Sequence, residues 1–145
     1  MADAALQTQG SGPIHLTIVT PIGRALDRRV DWVSAPGIRG EFQVLPGHDF
    51  FLTQLEEGEV AYAAGGEEGH FAVLGGFAEV GPDRVSILAE GASEAGEIDL
   101  AKTIAQKEKY EKLLMEIGPM DPRYDETRKA IKDLVALMTV AQRKK

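Results

Sequence analysis

Covalent catalysis by this chain would have to rest on a hydroxyl, because none of its 145 residues is cysteine. Ser11, Ser34, Ser86 and Ser93 are its serines, and none lies in a Gly-x-Ser-x-Gly elbow beside a partner base. Metal binding needs clustered imidazoles and carboxylates, but His15, His48 and His70 are scattered along the sequence. No Gly-x-x-x-x-Gly-Lys-Ser/Thr loop is present to cradle phosphates. Glu56-Glu57 adjoins Gly58 and lacks the apolar setting that makes a carboxyl a general acid. Trp32 is the one tryptophan, so no aromatic platform for a sugar is visible. These absences point to a binding or mechanical role.

The remaining polar features read as structure. His15 and His70 alternate with apolar residues, as solvent-facing strand positions do. His48 follows Pro46-Gly47 and belongs to a turn or an interface. Gly65-Gly66 and Gly75-Gly76 separate strand-like runs, where turns or bulges need positive φ. Glu67-Glu68 reads as a solvated loop. A net charge of −7 argues against nucleic acid as a partner. The charge is uneven: residues 1–92 carry 5 basic and 13 acidic side chains, residues 93–145 carry 11 and 10. That shift marks a boundary between two physically different parts.

Elements of two kinds must carry these residues. Up to Gly91 the runs are short and β-branched: Ile14–Val19, Val30–Val33, Phe42–Leu45, Phe50–Leu55, Glu59–Ala64, His70–Leu74, Phe77–Val80 and Arg84–Ala89. Gly and Pro punctuate them at the spacing of a sandwich or barrel. From Asp99, a plausible N-cap, the period becomes helical. Leu100, Ile104, Tyr110, Leu114 and Ile117 form one stripe, interrupted by Lys107. Gly118-Pro119-Met120-Asp121-Pro122 breaks it, and Asp121-Pro122 suits a restart with Asp121 as cap. Tyr124, Ile131, Leu134, Val135, Met138 and Ala141 form the second stripe. The short connection implies an antiparallel two-helix hairpin. Narrow stripes that face each other leave little to dock on the sandwich, so the hairpin should be weakly held. The expected organisation is a disordered tail at 1–13, a β-sandwich at 14–92 and an α-helical hairpin at 93–145. No run reaches the roughly 18 apolar residues of a spanning helix. The tail lacks the features of a signal or transit peptide.

Val19-Thr20-Pro21, Val33 to Gly37 and Gly40-Glu41-Phe42-Gln43-Val44-Leu45-Pro46-Gly47-His48 together resemble the ε subunits of F-type ATP synthases. Phe71 to Val80 is similar to that family's Ser-Gly-Gly-Phe-x-Glu-Val segment, with Leu74 in place of Ser. Val85 to Glu90 and Glu97-Ile98-Asp99 resemble the exit into its helical hairpin. Motifs cover residues 14–117.

The resemblance implies a non-catalytic rotor subunit of the central stalk. Its partners would be the γ subunit and the c-ring through the sandwich, with Glu41 and His48 as candidate interface residues. The hairpin would reach the catalytic α and β subunits and inhibit ATP hydrolysis, with Arg123, Arg128, Lys129 and Lys132 as candidate contacts. Basic residues near a helix end also suit its dipole, which is the plain structural alternative. Some family members bind ATP through Ile/Leu-Asp-x-x-Arg-Ala, and Ile98-Asp99-Leu100-Ala101-Lys102-Thr103 departs from it. Lys102 lacks the planar guanidinium fork, and Thr103 replaces Ala. Asp99 and Lys102 are therefore weak nucleotide-binding candidates, and no cofactor is expected. The implied location is the cytoplasmic face of a bacterial plasma membrane, without direct membrane insertion. The competing reading is a free-standing β-sandwich that binds a ligand or nucleotide in a concave polar site.

Overall fold

The computed structural model describes residues 10–143. Most of the expected tail (residues 1–9) and Lys144 and Lys145 lie outside the described residues. The strands are β1 Ile14–Thr20, β2 Gly23–Val30, β3 Trp32–Gly37, β4 Gly40–Val44, β5 Phe51–Ala64, β6 Glu67–Val80, β7 Arg84–Ala89 and β8 Ala92–Glu94. They pair in the order β2-β1-β7-β6-β5-β3-β4, with β8 also on β6. All pairs are antiparallel except β1 with β7. The sheet closes over one core and is followed by helices α1 Leu100–Glu116 and α2 Tyr124–Ala141. This is the expected β-sandwich with a two-helix hairpin.

The largest departure from the sequence reading is that β5 and β6 are each one long strand of 14 residues. Gly75-Gly76 is therefore no turn. Both glycines have positive φ (89° and 128°), yet the β5–β6 pairing keeps its register across them. Their effect is on facing. Before the pair, Phe71 and Val73 point into the core; after it, Ala78 and Val80 do. β5 changes in the same way, from Leu55 to Val60 and Tyr62. The β7–β8 path changes between Ala89 and Ala92. Three neighbouring strands thus turn over together at one level. Strands that pass from one layer of a sandwich to the other need such a bend. Pairing is also irregular there between β3 and β5, from Ser34 to Gly37.

Other differences follow from local chemistry. β2 reads as polar (Arg24, Asp27, Arg28, Arg29), but it is an edge strand, where charge discourages further pairing. The Val30–Val33 run is divided: Val30 ends β2, and Trp32 opens β3. At Asp31 between them, Oδ2 accepts a bond from Gly65 N at 3.2 Å. β3 continues through Pro36, whose missing N–H falls where the β3–β5 ladder lapses. β8 runs across the 92/93 position and pairs with β6. Gly65-Gly66 does form the β5–β6 hairpin turn, with positive φ at both residues (61° and 85°).

Asp99 caps α1, its carboxylate accepting from Lys102 N at 3.1 Å. Asp121 closes a turn by accepting from Arg123 N at 2.8 Å. The helix proper then starts at Tyr124 rather than at Pro122. α1 packs chiefly on α2, while α2 also lies on β5 and β6. The seat combines small residues with Ile98, Leu100 and Leu137. Ala72 and Ala95 meet Val140 and Ala141, with Ile98 beside them.

The face reversal yields a stability test. A Cβ at Gly76 would lie 2.0 Å from the Leu88 carbonyl oxygen, at a φ that side chains rarely adopt. Gly76→Ala should cost about 3 kcal/mol or more. That corresponds to a fall in Tm of roughly 10 °C by calorimetry. Gly118→Ala, in open space, should stay within about 0.5 kcal/mol of the parent.

Candidate functional site

Below the glycine level, the odd-numbered residues of β6 face outward. Phe77 is paired with Gln54 on β5 and with Leu88 on β7, and Leu88 with Val19 on β1. Leu52 lies diagonally from Phe77, across from Glu79. Leu52, Phe77 and Leu88 are 70%, 54% and 59% exposed. They form an apolar island on the outer face of the sheet. Ion pairs border it: Arg84 to Glu79 at 2.9 Å, and Arg24 and His15 to Asp27, both at 2.7 Å. An apolar centre with a polar rim is the usual make-up of a protein interface. Sequence reasoning missed this island because it could not tell which face of Phe77–Val80 was buried. The signal was there: small Ala78 alternates with large Phe77, an inversion of core packing.

The β4–β5 connection carries the turn expected at Leu45–His48. Gly47 has φ of 84°, and its N–H donates to the Pro82 carbonyl at 2.7 Å. The His48 N–H donates to the Leu45 carbonyl at 3.2 Å. His48 Nδ1 lies 2.7 Å from the Asp49 carbonyl oxygen, and its ring leans on Phe51. Phe51 meets Phe42 edge-on with centroids 5.2 Å apart. This fixes a rigid tip from which Leu45 and Phe50 project, 55% and 80% exposed. Glu41 is exposed at the opposite end of β4, beside the β3–β4 turn. No hydrogen bond or ion pair joins Glu41 to His48 among the described residues.

Of the basic candidates on the hairpin, Arg128, Lys129 and Lys132 lie on one side of α2 and Arg123 is set apart. Both nitrogens of the Arg123 fork bond Asp121, at 3.1 and 3.0 Å. These bonds hold the Asp121 carboxyl below its usual range. The Arg128 guanidinium lies 6.0 Å from the Tyr124 ring centroid. Lys129 faces Asp133 at 3.3 Å and Glu90 at 3.8 Å. Lys132 is exposed and shares a shallow hollow with Glu57, Asp125, Arg128 and Lys129.

His70 departs from the solvent-facing reading. Its side chain is 18% exposed and sits between Glu59 at 3.0 Å and Glu68 at 3.5 Å. The face reversal turned it toward the helical side of the sheet. Glu68 belongs to β6 and not to a loop. Among the described residues no group of His, Asp and Glu is arranged to hold a metal ion. Asp99 acts as helix cap, and the Thr103 hydroxyl donates to the Asp99 carbonyl at 2.7 Å. Lys102 is exposed. Losing the cap in Asp99→Ala should cost about 1 kcal/mol, read as a lower Tm with no nucleotide present.

Comparison with known proteins agrees with the sandwich and the hairpin. The family described as ATP synthase, Delta/Epsilon chain, beta-sandwich domain matches residues 13–95. The ATP synthase epsilon chain of Syntrophobacter fumaroxidans is 45% identical over 130 residues, covering 90% of this chain and 96% of that one. The epsilon chain of Anaeromyxobacter sp. is 40% identical over 130 residues, covering 90% and 98%. A chain of the Euglena gracilis mitochondrial ATP synthase OSCP/F1/c-ring structure has the same fold, with a TM-score of 0.78. It is 24% identical, over 92% of this chain and 84% of that one. By this match over most of its length, the chain belongs to the ATP synthase delta/epsilon family, as one of its epsilon chains.

Proposed function

We propose that this chain is a central-stalk subunit of a proton-translocating F-type ATP synthase that transmits ring rotation to γ and restrains ATP hydrolysis. The apolar island at Leu52, Phe77 and Leu88 is the observation that carries the proposal. Such a patch, exposed on a charged monomer, calls for a permanent protein partner. In this reading the island seats γ. The tip at Leu45–His48 and the acid at Glu41 meet the polar loops of the c-ring. A rigid Pro-Gly turn makes such a contact without an ordering cost. No helix of the described residues is long and apolar enough to cross a membrane. The subunit would work at the cytoplasmic face of a bacterial plasma membrane, held by its partners.

The hairpin would act as the brake. Its α2 face carries Arg128, Lys129 and Lys132, and Arg123 precedes it. Extended, these cations would meet an acidic surface of the catalytic α and β subunits. We infer no regulatory nucleotide, because the Asp99 carboxylate is engaged as a cap and Lys102 lacks the guanidinium fork.

Leu88→Asp should weaken co-purification with cognate γ by at least about 10-fold, while circular dichroism stays unchanged. Unaltered γ binding by this variant would remove the island from the account. In the catalytic complex, the double variant Arg128→Glu, Lys132→Glu should hydrolyse ATP faster than the complex with the parent chain. Equal rates would keep the stalk role and remove the brake. Millimolar ATP should leave the Tm of the isolated chain unmoved. A rise of several degrees would reinstate Asp99 and Lys102 as a nucleotide site.

A further inference from the structure

The contact between α2 and the sandwich is unusual in what holds it. Its apolar part joins Ala136, Leu137, Val140 and Ala141 on the helix to Ala72, Ala95 and Ile98. A groove beside it, between Gly58 and Val135, is not filled, and Val135 is 44% exposed. Charges line this seam. The sandwich presents Glu57 and Glu59 from β5 and Glu90 from the end of β7. The hairpin presents Lys129, Asp133 and Arg143.

Two ties cross the seam. At the end of α2, Arg143 Nε lies 3.1 Å from Glu59 Oε2, and its terminal nitrogen 3.5 Å from Oε1. His70 Nδ1 holds the same Glu59 oxygen from below at 3.0 Å. Glu59 is thereby fixed in place, with a side chain only 20% exposed. A pre-positioned carboxylate facing an arginine fork makes a charge-assisted bond, and with Arg143 exposed that bond remains open to screening by salt. In the middle of α2, the Lys129 ammonium sits among Asp133, Glu90 and Glu57. Burial pushes the Asp133 carboxyl up, Lys129 pulls it down, and Glu57 and Glu90 push it up further. Burial works against the Lys129 charge, but the three carboxylates outweigh it. Without Lys129, acids on both sides of the seam would repel one another.

We propose that Arg143 on Glu59, and Lys129 among Glu57, Glu90 and Asp133, form a two-point salt-sensitive latch that sets how often α2 leaves the sandwich. This rests on the reading of the hairpin as a movable brake. It adds a competition: Lys129 serves the sandwich's acids or an external acidic surface, never both at once. The acidic rim of β5 and β7 is then an internal substitute for the brake's target. Arg128 and Lys132 make no ion pair with the sandwich among the described residues, so they remain free to meet a partner first.

The test uses the isolated full-length chain. Because it has no cysteine, Gly96→Cys and Gln142→Cys admit two spin labels without background. Neither position makes a side-chain tie, and Gly96 has open space for a side chain. Pulsed distance measurement then reads docked and undocked populations. Glu59→Gln and Lys129→Gln should each raise the undocked fraction roughly 2- to 5-fold. Arg143→Gln added to Glu59→Gln should change nothing further, because both remove one tie. Raising KCl from about 0.05 to about 0.5 M should open the parent chain and have little effect on Glu59→Gln with Lys129→Gln. An undocked fraction unmoved by either substitution or by salt would overturn the latch, whatever the hydrolysis assays show. Opening without any effect on hydrolysis would keep the latch and remove the brake.

Discussion

Two adjacent glycines with positive φ set the layout of this molecule. At Gly75-Gly76 the middle strand of the sheet turns over without losing its register, and its neighbours turn with it. Only glycine takes these conformations without strain, and at Gly76 the approach of the Leu88 carbonyl leaves no room for a side chain. Two surfaces of functional interest follow from this reversal. Above it, the outward residues are Glu59, His70 and Ala72, which receive α2. Below it, they are Leu52, Phe77 and Leu88, which stay exposed among the described residues. One continuous hairpin, β5–β6, thus carries an occupied seat at one end and a vacant one at the other.

The two seats differ in physical character, and that difference matches their proposed roles. The vacant seat is large-residue apolar surface with a charged rim, suited to a lasting partner. The occupied seat mixes small apolar residues with a few larger ones and is lined by carboxylates. Small side chains remove less area from water than large ones, which suits a contact that can be released. Charges add orientation and salt sensitivity more than strength. In the proposed roles, the first contact persists and the second is reversible.

The architecture was legible because its periodicities are clean. Asp99 announced α1 as an N-cap, and the stripes from Leu100 and Tyr124 gave the hairpin. Gly65-Gly66 gave the hairpin turn between β5 and β6. What escaped was facing and continuity. Alternation tells which residues share a face only while the strand is regular, and the glycine pair breaks that rule inside one strand. For this reason β5 and β6 read as four strands, His70 as solvent-facing and Phe77 as a strand residue without an assigned face. β2 escaped because an edge strand with a charged face resembles a loop. The resemblance to epsilon chains identified the family from short motifs. It did not show that Lys129 is engaged by the sandwich's own acids, since that depends on contacts far apart in sequence.

The central claim is that the vacant end of the β5–β6 hairpin is where γ seats. Amide hydrogen exchange of this chain, free and with cognate γ, tests it most directly. The account predicts slowed exchange concentrated in residues 51–55, 76–80 and 84–89, with the α2 seat at residues 70–73 unchanged. Slowing confined to the α2 seat, or no slowing in a stable complex, would contradict it.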